Sequence, residues 1–286
     1  MSVNAVSMPA ARLEAAVRPK PVRLFGPDAL AVGGAIVLVA GLILLPLVSV
    51  VYEATRAGAG TFAKTFTEPY ALAAIRLTLG VAFATVAFNT AFGLIAAWTV
   101  TKYRFPLKAW LLTAIDLPLT VSPVVAGLAI LLTFGSRSPL GSRLVEQGIH
   151  IAFAPPGIIL ATIFVTFPFV ARELIAFMQE QGRDLEEASL VLGASVWQTL
   201  WRVTIPNARW ALLNGILLCN ARAMGEFGAV SVISGRVRGF TDTVPLHIEI
   251  LYNESAFASA FALSTALAVV TIGLTLARAA LVRQRD

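Results

Sequence analysis

Little in this sequence can react. Among 286 residues there is one cysteine, Cys219, and there are two histidines, His150 and His247. A single cysteine cannot close a disulfide within the chain, and Cys219 sits in an apolar run, where a small buried hydrophobe is the usual reading. The histidines stand far apart in what read as external loops, with no HExxH or CxxC pattern, so no metal is expected. No GxxxxGK[ST] occurs, which excludes ATP binding through a phosphate loop. GxSxG is also missing, and no other nucleophile stands beside a base, so catalysis by this chain is not expected. Charge is scarce too, at 13% of residues against 57% hydrophobic. The net charge of +6 is spread over short segments flanking apolar runs, with no basic face to lay on nucleic acid.

What the sequence does have is apolar length. Six runs reach the roughly 20 residues that cross a bilayer: about 29–52, 71–100, 109–134, 151–177, 207–234 and 256–281. The expected fold class is therefore an all-α polytopic membrane protein with six transmembrane helices. Residues 1–28 carry Arg12, Arg18, Lys20 and Arg23 without apolar periodicity and read as a cytoplasmic tail. The run after it is too long for a signal peptide. Fourteen Lys and Arg residues, Arg172 and Arg209 counted among them, fall on the side of the termini, and six on the other. This bias places both termini and the polar segment 181–207 in the cytoplasm.

That segment has its own grammar. Asp184 is a good N-cap, and Glu187 three residues on completes a capping spacing, so a helix is expected from Leu185. Gly193 ends it, Ser195 and Gln198 repeat the spacing for a second short helix, and Pro206 closes that one. Two helices of about two turns need a surface to pack against. Glu187-Ala188-Ser189, three residues, Gly193, nine residues, then Val203-Thr204-Ile205-Pro206 resembles the EAA loop of ABC-importer permeases. Ser189, Val203 and Ile205 depart from that pattern by small or volume-conserving changes. The resemblance implies that the loop forms coupling helices inserted into a cleft on an ATPase subunit, with Asp184, Glu187, Ala188, Gly193 and Pro206 as the coupling residues.

Two of the apolar runs are interrupted. The third contains Asp116, Pro118, Ser122, Pro123 and Gly127. Prolines at membrane depth free carbonyls that need partners, so this run is either a kinked structural helix or a pore-lining one, with Ser122 and Pro123 as lining candidates. The fifth places Arg222 and Glu226 four residues apart on one helical face, flanked by Gly225 and Gly228. An isolated charge there is expensive, so the pair should face itself, the bundle interior or water. It is either an ion pair that fixes packing or a cation turned toward an anion path and held by Glu226, with the glycines allowing a bend.

The segments IDLPLTVSPVVAGLAILLTFG, FVTFPFVARELIAFMQEQG, EEASLVLGASVWQTLWRVTIPNARWALLNG and NARAMGEFGAVSVISGRVRGFTDTVPLHIEILYNE are together similar to the CysW-type permeases of bacterial sulfate and thiosulfate ABC importers. The similarity runs from about residue 71 to the last span. It implies a MetI-like permease domain over 29–286 in the bacterial inner membrane, with Arg222, Gly225 and Glu226 beside the gate. The implied partners are a second, similar permease (a heterodimer, with a homodimer as alternative), two ATPase subunits that hold the ATP and Mg, and an extracytoplasmic sulfate- or thiosulfate-binding protein. No cofactor is implied in this chain. Molybdate permeases share the third span and the GEFG segment, which keeps another oxyanion open. A secondary transporter driven by an ion gradient would show repeated halves with paired broken helices, and the sequence shows no such repeat.

Overall fold

The computed structural model describes residues 27–56 and 58–283, and among them every regular element is a helix. The expected tail 1–28 lies outside the described residues except for its last two positions, which begin α1, Pro27–Arg56. A short α2, Ala59–Thr65, precedes α3, Pro69–Lys102, the second expected span. The third span is broken: α4, Lys108–Thr120, and α5, Pro123–Phe134, meet at 109°. Pro123 explains the position of the break. A proline is well tolerated in a first helical turn, but it disfavours helical backbone in the residue before it, and Ser122 is correspondingly at ψ 135°.

A surface helix, α6, Pro139–Glu146, leads to α7, Pro155–Gln181. The polar segment folds as α8, Asp184–Val191, and α9, Val196–Thr199. A wide π turn over Leu200–Thr204 then runs directly into α10, Ile205–Met224. After a break come α11, Gly228–Ile233, α12, Val244–Asn253, and α13, Phe257–Arg283.

Among the described residues four helices, α1, α3, α7 and α13, are long and apolar enough to cross a membrane, and the bent α4–α5 pair makes a fifth. The remaining expected span, 207–234, is divided. Its α10 has 20 residues, about 30 Å, but carries Arg209, Arg222, Asn207, Asn214 and Asn220. Polar content, rather than length, sets this helix apart.

Within residues 50–286 the packing centres on α7, which touches α3, α4, α5, α10 and α11. The buried side of α3 is a stripe of small residues, Ala71, Ala74, Thr78, Ala82, Thr85, Asn89, Gly93 and Ala97, at three- and four-residue spacing. Such stripes let helix backbones approach, which is how helices associate where lipid removes the hydrophobic drive. Val170 of α7 shows the result: a Cβ at Gly93 of α3 or at Gly215 of α10 would lie 3.1–3.2 Å from it. Cys219 is fully buried in the same region and takes a weak hydrogen bond from Asn89, which also donates to Thr166 at 2.8 Å.

The α5–α11 contact is tighter still. A Cβ on Gly127 would sit 2.5 Å from the Ala229 carbonyl oxygen, and backbone cannot yield as a side chain can. We expect Gly127→Ala to destabilise the protein by about 1–3 kcal/mol, the usual cost of overpacking. Gly225→Ala, whose Cβ would meet only the Ala221 oxygen at 3.7 Å, should leave stability unchanged. Thermal unfolding of the purified variants in detergent checks the contrast.

Candidate functional site

The loop 181–207 follows the sequence expectation in outline and departs from it at both ends. The N-cap of α8 is Arg183, without a side-chain bond, and Asp184 is the first helical residue. Asp184 therefore acts through its charge: with Glu186 and Glu187 it sits at the positive end of the helix dipole. The stop at Gly193 is as expected. Its φ is +88°, the Gly193 N–H donates to the Leu190 carbonyl at 3.0 Å and the Ala194 N–H to that of Ser189 at 3.1 Å. This is a Schellman closure. Ser195 and Gln198 form the expected reciprocal capping box, at 3.2 and 2.9 Å.

Pro206 does not close α9. The chain passes through the π turn into α10 with Pro206 in its first turn. In an unbroken α-helix the proline ring would strike the carbonyl of Arg202, and the wider turn makes room for it. Asp184, Glu187, Ala188, Gly193 and Pro206 are all exposed. Beside them lie large apolar side chains facing outward: Val191 and Leu192 are each 87% exposed, and Trp197 and Trp201, stacked edge to face, 65% and 56%.

The other face of the loop is clamped to the membrane helices by residues that the sequence reading passed over. Lys102, the last residue of α3, lies 2.9 Å from Glu186 and donates to the Gly182 carbonyl at 2.6 Å. Thr204, in the π turn, donates to the same Glu186 oxygen at 3.2 Å, and Arg183 donates to the Thr101 carbonyl at 3.0 Å. Lys102 and Glu186 are each only 9% exposed. The available signal was the doublet Glu186-Glu187 at the start of a short helix, where adjacent residues point about 100° apart and one must turn inward.

Arg222 and Glu226 do pair, at 2.8 Å, with side-chain exposures of 36% and 1%. The second Glu226 oxygen accepts the Ala229 N–H at 3.0 Å, so this carboxylate both holds Arg222 and caps α11. The two broken spans meet here: a Cβ on Gly228 would lie 2.9 Å from Pro123 and 3.7 Å from Glu226. Pro123 and Glu226 are thereby brought together, with Ser122 exposed at the head of α5. Gly225 ends α10 at a φ of −93°, and the close backbone approach at this junction is made by Gly228 and Gly127.

Arg172, counted with the loop cations, lies inside α7 and pairs with Asp116 of α4 at 2.8 Å. Arg209 lies within α10, over the Trp210 ring. His247 is not in an exposed loop either. It is buried in α12, with Nδ1 2.8 Å from Asp242, whose other oxygen accepts the Gly239 N–H at 2.9 Å. Between α11 and α12, Arg236 pairs with Glu249 and Arg238 with Glu254. The Glu254 hydrogen bond raises the pKa of Arg238 above its ordinary value, in a guanidinium that is charged at every working pH in any case.

Broken helices meeting over a carboxylate at one place, and a capped, Schellman-closed loop at another, form a specific combination. Residues 89–285, which contain both, match the model of the family described as binding-protein-dependent transport system inner membrane component. The chain belongs to this family. Members of this inner-membrane transport family similar to it include the sulfate transport system permease protein CysW of Escherichia coli (strain K12). That protein is 47% identical over 246 residues, covering 85% of this chain and 84% of the relative. The sulfate transport system permease protein CysT of the same strain is 32% identical over 243 residues, covering 85% and 88%. A crystal structure of a bacterial alginate ABC transporter, in complex with an alginate pentasaccharide-bound periplasmic protein, superposes with a TM-score of 0.72. At 18% identity, over 87% of this chain and 92% of that one, it shares the fold. The chain is thus an all-helical, multi-pass permease component of an ABC importer.

Proposed function

We propose that this chain is a permease subunit that carries sulfate or thiosulfate into the bacterial cytoplasm, driven by ATP hydrolysed on a separate subunit. The observation that carries the reading is the two-faced loop 181–207. Its exposed face presents Asp184, Glu187, Ala188, Gly193 and Pro206 among exposed apolar side chains, which suits insertion into a cleft on an ATPase. Its buried face is bonded to α3 and to the π turn before α10. Closure of an ATPase dimer would push on the loop, and through it on the helices that lead to the α5–α11 junction. There Ser122, Pro123, Gly225 and the Arg222–Glu226 pair are the gate residues.

The anion rests on the 47% relative, whose name specifies sulfate. The similarity to CysT supports pairing with a second, distinct permease. Two ATPase copies and an extracytoplasmic sulfate- or thiosulfate-binding protein complete the assembly, with both termini and the loop in the cytoplasm.

The test is uptake of labelled sulfate by proteoliposomes that contain the four components. ATP and loaded binding protein should drive uptake, with thiosulfate competing. Glu187→Ala should lower both uptake and stimulated hydrolysis about tenfold, the scale of one lost charge-assisted contact of ~1.4 kcal/mol. Uptake driven by an imposed ion gradient without ATP would overturn the reading, and competition by molybdate alone would change the anion.

A further inference from the structure

A cavity of about 650 Å³ opens between α4 and α7, lined by Asp116, Arg172, Glu173, Ala176, Gln179 and Leu218 among others. Arg172, Ala176 and Gln179 are exposed and share one face of α7. Arg172 stands nine residues before the end of α7, and Asp116 eight residues into α4. At 1.5 Å per residue they lie roughly 8–11 Å inside the apolar runs 151–177 and 109–134 from the end that carries the loop. Their side chains are nonetheless 57% and 43% exposed. Lipid contact at that depth would cost several kcal/mol per charge, so this face meets water or protein.

The chemistry favours a wet site for an anion. Asp116 takes the Arg172 guanidinium through two bonds, Nε at 2.8 Å and Nη2 at 3.3 Å. Arginine has five N–H donors, so others are left for a ligand. The neighbouring carboxylate, Glu173, is occupied: Asn214 donates to it at 2.7 Å and Arg278 at 3.4 Å. Arg172 with Asp116 has no net charge, and neither does Glu173 with Arg278. Such a wall offers directed donors without a deep electrostatic well, and a transport site must release what it binds. Leu218 lines the same cavity, and Arg222 follows one turn further along that face of α10.

We propose that this cavity is a station for the transported tetrahedral oxyanion on the loop side of the gate, with Arg172, held by Asp116, as its ligand. The proposal rests on the functional reading above, and its test is therefore read without transport. A cysteine is placed at Ala176 in the assembled transporter. Cys219, the sole native cysteine, is fully buried. The loop side is then treated with membrane-impermeant anionic or cationic methanethiosulfonates. Ala176→Cys should react with both, preferring the anionic reagent, and millimolar sulfate should slow it.

Adding Arg172→Ala should lower the anionic-to-cationic rate ratio about tenfold and remove the sulfate protection. Adding Asp116→Asn should shift both in the opposite direction, which misfolding would not do. Failure of Ala176→Cys to react with either reagent would mean that the second permease or lipid covers this face, and would overturn the proposal. So would a ratio indifferent to Arg172. A transporter that does not import sulfate under ATP, yet keeps the charge preference at Ala176→Cys, removes the functional reading and leaves the cavity assignment standing.

Discussion

Replacing Gly193 by valine should uncouple this permease, whereas asparagine at the same place should leave most activity. The position separates backbone from side chain cleanly. Gly193 has a φ of +88°, and nothing lies within 4 Å of where a Cβ would be built. A clash is therefore not the cause of any loss. The left-handed backbone alone penalises an L-residue by about 1–3 kcal/mol, most for a β-branched side chain and least for asparagine. Without that conformation the Gly193 and Ala194 N–H bonds to Leu190 and Ser189 are lost, and the chain leaves α8 in another direction. At about 2 kcal/mol, ~30-fold less of the protein would hold the docking conformation. The check is the amount of ATPase that copurifies with each variant, at equal amounts of membrane-inserted chain. Full copurification with Gly193→Val would remove the loop from the docking role.

The second large effect is expected at Lys102. Lys102→Met leaves the Glu186 carboxylate buried with only the Thr204 hydroxyl, and losing one member of a buried pair costs about 3–5 kcal/mol. The exposed docking face is untouched, so the ATPase should still bind. What fails is the mechanical link from α8 to α3, and the ATP hydrolysed per anion imported should rise several-fold. A merely structural defect would lower hydrolysis and import together. Exchanging the pair, Lys102→Glu with Glu186→Lys, should recover only part of the coupling. A glutamate at 102 restores the ion pair but cannot donate to the Gly182 carbonyl, which Lys102 does at 2.6 Å. An unchanged coupling ratio in Lys102→Met would show that α3 does not follow the loop.

Much of the loop was legible because its signals are local. A capping box needs only Ser195 and Gln198 at the right spacing, and a Schellman stop needs only a glycine where the helix ends. Both formed as read. The two errors came from continuity. Asp184 entered the helix because Arg183 already occupied the cap, and Pro206 was passed over because the chain widened into a π turn. No residue type in LWRVT announces that widening; it follows from how the segment packs between α8 and α10.

The same division holds for the membrane helices. Apolar length, the interruption of the third run by Pro118 and Pro123 and of the fifth by Gly225 and Gly228, and the placing of Arg222 and Glu226 on one helical face were legible in the sequence alone. Each depends on composition or on residues within one helical turn. The tertiary structure decided which charges are buried and which face a cavity. Glu186 differs from Glu187, and Arg172 from the loop arginines, only through partners far away in the chain: Lys102 is 84 residues from Glu186, and Asp116 is 56 from Arg172. It also decided that Gly127 and Gly228, rather than Gly225, are the glycines the junction requires. A side chain's environment is set by what packs across from it, and periodicity along one helix carries no information about that neighbour.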